Sequence, residues 1–97
     1  MSFSTIEDVR NAIDGIDSQL VSLIAERGRL VKAAAGFKKD QDAVRAPDRV
    51  QRVIDKVRAE AAVVGLPEDI IEKVYRAMIN AFIDYELEQH RSLVQNF

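Results

Sequence analysis

From Ile6 to Phe37 apolar residues recur at steps of three and four: Ile6, Val9, Ile13, Ile16, Leu20, Leu23, then Leu30, Ala34 and Phe37, with Arg27 the one interruption. Such spacing is the signature of an amphipathic helix. Ser4 or Thr5 is placed to cap its start, and Glu7 or Asp8 in the first turn favours the helix dipole. The stretch "KDQDAVRAP" breaks the pattern. Pro47 then marks a second start, and the stripe Val50, Val53, Ile54, Val57, Ala61, Val64 runs to Gly65, a suitable C-terminal cap. "LPED" opens a third helix, whose stripe Ile71, Val74, Tyr75, Met78, Ile79, Phe82 continues to about Leu87 or beyond. No alternating strand pattern, internal repeat or low-complexity tract interrupts these three segments.

A first helix of about 33 residues is a rod of roughly 50 Å. A compact domain of about 100 residues has a radius of gyration near 13 Å, too small to cover that rod. Two chains packed together bury the stripe along its length. The sequence therefore predicts an all-α fold: a three-helix chain with one long N-terminal helix, forming an intertwined homodimer, with residues 1–97 a single domain.

Composition narrows the functional classes. The 97 residues carry a net charge of −2, with 47% hydrophobic and 31% charged residues, an ordinary soluble balance. No apolar run approaches the ~20 residues of a membrane span. The start "MSFSTIEDVR" lacks the basic and apolar segments of a signal peptide, so the expected location is cytoplasmic. Without cysteine, and with His90 the only histidine, thiolate zinc sites and histidine-based catalysis are disfavoured. The near-neutral charge disfavours nucleic acid.

The informative charges stand where the pattern reserves apolar positions. Arg27 sits in the seam of the first helix, where a guanidinium must be paired or face a polar cavity. Lys38, eleven residues on, falls on nearly the same face, about 16 Å away along the axis. Arg10 is about 25 Å from Arg27 in the other direction, so within a dimer Arg10 of the partner subunit is the better neighbour. Glu86 continues the face of Tyr75, Ile79 and Phe82 on the third helix, and a carboxylate there must be paired or protonated. Each also has a plain structural reading. Arg27 can bridge to Asp17 or Glu86, Lys38 and Lys39 can favour a helix end, Arg45 and Arg49 can be solvated, His90 can be exposed and idle, and Tyr75 and Phe82 can be core. Several cations converging on a helical core, with no nucleophile and no metal set, suit binding of a small dianion without a cofactor.

Those residues resemble the all-helical chorismate mutase family. "VRNAIDGIDSQLVSLIAERGRLVKAAAGFK" is similar to its long first helix, "VRAPDRV" to its second segment and, more loosely, "YRAMINAFIDYELEQHR" to its closing helix. The resemblance implies a dimer of three-helix chains with two shared sites. It implies that Arg27 and Arg10 of the partner subunit bind two substrate carboxylates. Lys38 would donate to a carboxylate and to the ether oxygen of the breaking bond, Arg49 would line or brace the pocket, and Glu86 would donate to the same ether oxygen. The implied reaction is the Claisen rearrangement of chorismate to prephenate, serving aromatic amino acid biosynthesis.

Two positions depart from the typical mutase. Ala46 and Val50 stand where members often carry polar residues, Val50 where the substrate's ring hydroxyl is usually held. "APDRV" is more similar to the isochorismate-pyruvate lyase branch, which makes salicylate and pyruvate, although that branch resembles other members in having glutamine at the position of Glu86. Phe82 faces the same implied pocket. A third possibility is a non-catalytic or partner-activated dimer that binds a dicarboxylate without turnover.

Overall fold

The computed structural model describes residues 2–37 and 45–95, with side chains of the closing helix described through Gln89. Among these residues there are three helices and no strand: α1 (Ile6–Ala35), α2 (Pro47–Val64) and α3 (Glu68–Gln95). The chain divides into two compact units, Met1–Ala34 and Ala35–Phe97.

The first unit is α1. Its start is closed reciprocally: the Asp8 amide donates to Thr5 Oγ1 at 3.1 Å, while Asp8 Oδ2 accepts from the Ser4 and Thr5 amides at 3.0 and 3.2 Å. Thr5 is thus the capping residue, with Asp8 in the role glutamate often plays. The helix stops at Ala35, two residues before the last stripe position, and Gly36 and Phe37 form a turn. Gly36 supplies the reason, since glycine is a poor helix interior and a favoured terminus. The thirty residues of α1 bury no side chain within one chain.

The second unit holds the core. α2 and α3 form a helical hairpin around Val53, Ile54, Val57 and Ile79, with Val50, Ile71, Tyr75 and Ile83 packed against them. Ile54 is fully buried. Pro47 occupies the first turn of α2, where its missing N–H costs nothing. At the other end Gly65 adopts φ 80°, the Leu66 amide donates to Ala61 O at 2.9 Å, and the Gly65 amide donates to Ala62 O at 3.4 Å. This left-handed turn satisfies the last carbonyls of α2 and reverses the chain into α3.

Candidate functional site

The hairpin has two flanks, and the residues beside the seam decide which is which. Val50 on α2 and Ile83 on α3 both pack against the core. Gln51 and Asp84, each one residue later, line one cavity together. A helix turns about 100° per residue, so Arg49 and Phe82, each one residue earlier, lie on the opposite flank. Glu86, one turn beyond Phe82, shares that side. Of the residues singled out from sequence, the hairpin therefore brings Arg49, Phe82 and Glu86 to one flank, with Val50 on the seam beside them. Arg49 is exposed, whereas Val50, Phe82 and Glu86 are half-buried.

The remaining predicted residues lie elsewhere. Arg27 is half-buried on α1 and engaged with another group, whereas Arg10 is exposed and paired with Glu7 Oε1 at 2.8 Å, one turn before it. Lys38 and Lys39 lie outside the described residues, as does the side chain of His90.

The other flank carries an ion network that the sequence reading missed. Arg58 on α2 reaches three acids at the start of α3: Glu68 at 3.8 Å, Asp69 at 3.2 Å and Glu72 at 2.7 Å. Glu72 Oε2 accepts from Arg76 Nε at 2.7 Å, and an Arg76 terminal nitrogen reaches Gln51 Oε1 at 3.4 Å. The hydrogen bond from Arg76, joined by the one from Arg58, holds the Glu72 carboxyl below its ordinary range against the opposing effect of desolvation. The hydrogen bond to Asp69 leads the effects that raise the Arg58 guanidinium. The four-residue step from Glu72 to Arg76 is legible in sequence. The link from Arg58 to Glu72 crosses the hairpin and has no local signal.

Among the described residues, no group of three histidines, cysteines or acids is arranged to hold a metal ion, and no helix is long and apolar enough to cross a membrane. Residues 9–87 match the family model described as chorismate mutase type II. The chain belongs to that family. An isochorismate pyruvate lyase from Pseudomonas aeruginosa is 31% identical over 86 residues, 89% of this chain and 85% of the relative. A T-protein from Haemophilus influenzae is 35% identical over 78 residues, which cover 78% of this chain but only 21% of that longer protein. The match to the chorismate mutase type II model spans α2 and most of α1 and α3, and so includes every residue singled out above as a candidate for substrate.

Proposed function

We propose that the protein is a chorismate mutase, rearranging chorismate to prephenate in a cationic pocket shared between two copies of the chain. The observation that carries this reading is the family match over residues 9–87, which takes in Arg10, Arg27, Lys38, Arg49 and Glu86 together. Arg27 and Arg10 of the partner subunit hold the two carboxylates, because the planar guanidinium fork pairs with a carboxylate through two hydrogen bonds. Lys38 and Glu86 donate to the ether oxygen as its bond breaks, and Arg49 braces the pocket wall. The rearrangement is pericyclic and uses no cofactor, base or nucleophile. Holding the compact conformer removes part of the entropic barrier. Fixed donors at the ether oxygen stabilise its developing charge.

The second reading, an isochorismate-pyruvate lyase, is favoured by the Pseudomonas aeruginosa relative and by Val50, which offers no hydrogen bond to a ring hydroxyl. The two readings separate in one experiment: purified protein is given chorismate and isochorismate in separate reactions and the products are identified. Prephenate from chorismate without salicylate from isochorismate supports the mutase. Efficient salicylate release assigns the lyase. Silence on both substrates leaves a dicarboxylate-binding dimer as the better account.

A further inference from the structure

The ion network on the flank opposite Arg49 and Glu86 is a continuous strap that crosses the hairpin twice. Arg58 on α2 meets Glu72 Oε1 on α3 at 2.7 Å. Glu72 Oε2 accepts from Arg76 Nε at 2.7 Å, and Arg76 returns to α2 by donating to Gln51 Oε1 at 3.4 Å. Gln51 Nε2 in turn donates to Asp55 Oδ1 at 2.9 Å, which anchors the end of the strap on α2. We propose that this strap fixes the register of α2 against α3, and that Glu72, the residue both arginines share, is thereby a positioning residue for Arg49 and Glu86 on the other flank. The consequence for turnover rests on the mutase reading; the register itself does not.

Three observations carry this assignment. The seam itself is aliphatic at its centre, with Val53, Ile54, Val57 and Ile79 in contact. Apolar burial is non-directional, so such a seam resists separation more than it resists sliding or rotation. The turn at Gly65 fixes only the near end. Arg49 stands sixteen residues before Gly65 and Glu86 eighteen after Glu68, so roughly 25 Å of helix separates each from the turn. The strap supplies what the seam and the turn lack. It pins α2 at Arg58, close to the turn, and again at Gln51, two residues from Arg49. Two fixed points along an axis set both its slide and its rotation. The central pair is also sheltered, since the Arg58 and Glu72 side chains are 31% and 29% exposed, and sheltered charges are screened less than open ones. Directional contacts of this kind set register more than they add stability. A slip of one helical turn is 5.4 Å, whereas a misplacement near 1 Å is enough to cost a reacting geometry dearly.

The test reads register and turnover separately on the full chain. The sequence has no cysteine, so nitroxide labels on Arg52→Cys and Gln89→Cys, both exposed positions, report one distance between α2 and α3 once the labelled chain is diluted with unlabelled chain. The background with Glu72 intact should give one narrow distribution by pulsed electron paramagnetic resonance. Glu72→Ala should broaden it or add a second distance. Lys56→Met, which removes an exposed pair with Glu60 within α2, should leave it unchanged. In unlabelled protein Glu72→Ala should lower kcat for prephenate formation about tenfold or more. KM should change by less than about threefold, because the proposed carboxylate grip is on α1, which the strap does not touch. A general loss of folded protein would instead lower the active fraction of Glu72→Ala and the Lys56→Met control alike, in proportion to their lost helical circular dichroism. If Glu72→Ala fails to fold, Arg76→Met, whose side chain is 43% exposed, decides by the same two readings. An unchanged distance distribution overturns the assignment whatever the activity. A changed distribution with unchanged kcat overturns the positioning role. Wild-type protein that makes no prephenate refutes the mutase reading alone, and the distance still decides the register.

Discussion

Ala46 enters α2 with φ 38° and ψ 62°, and no side chain caps the helix there. The left-handed region costs a residue with a Cβ about 1–2 kcal/mol, and asparagine is among the few that visit it readily. Ala46→Asn should therefore raise stability by roughly 1 kcal/mol in urea denaturation. A loss of stability would mean that the small methyl, not the backbone, is what this turn requires. Glu86 invites a different test. An ionised carboxylate only accepts hydrogen bonds, whereas a protonated one also donates. If Glu86 donates to the ether oxygen, Glu86→Gln, which keeps a donor in the same place, should retain or raise kcat, whereas Glu86→Ala should lower it by about tenfold or more; equal kcat in the two variants would assign Glu86 to a structural role instead. Arg27 and Glu86 were legible because each interrupts an apolar stripe, and both are half-buried. Arg58 was not, because it lies on no stripe and its partners stand eleven and fourteen residues away across a turn.

At the scale of elements, helix starts and stops followed local chemistry. Pro47, Gly65 and the Thr5–Asp8 exchange stand where the sequence placed its boundaries. The end of α1 was overrun because Phe37 continues the apolar period, and periodicity does not register the weakness of Gly36 as a helix residue. How α2 and α3 hold together was only half legible: the apolar seam was read, and the ion network on its flank was not. That network makes the hairpin sensitive to acid. The folded-state pKa of Glu72 is depressed, so its contribution is present above the ordinary carboxylate value of 4.5 and is lost as pH falls through the lower, folded value. The Tm difference between wild type and Glu72→Gln should be constant near neutrality and close on acidification below that value. A difference that persists unchanged in acid would show that glutamine disturbs packing and not charge.

For the whole molecule, the unanswered demand is the stripe on α1. Ile13, Ile16, Leu20, Leu23 and Leu30 are between 49% and 66% exposed within one chain. Complete burial of such a side chain is worth about 1.5–3 kcal/mol, so half-covered positions of this kind still offer on the order of 5 kcal/mol per chain. Two copies bring two stripes, and their sum is on the scale of the ~4–15 kcal/mol cost of joining two molecules. Polar or charged side chains on the same face would remove that drive directly. The wild-type chain should therefore sediment at twice its 10.9 kDa mass, and a Leu20→Glu, Leu23→Glu double variant should sediment as a monomer. The proposed shared pocket makes a sharper demand, because in that reading Arg10 of the partner subunit would complete it only in the dimer. Turnover should disappear with the dimer, and it should return when an Arg10→Ala chain is mixed with an Arg27→Ala chain, since one of the two pockets then regains both arginines. A monomeric variant that retains full turnover, or a mixture that stays inactive while forming the mixed dimer, would show that each chain builds its site alone or that Arg10 is not part of it.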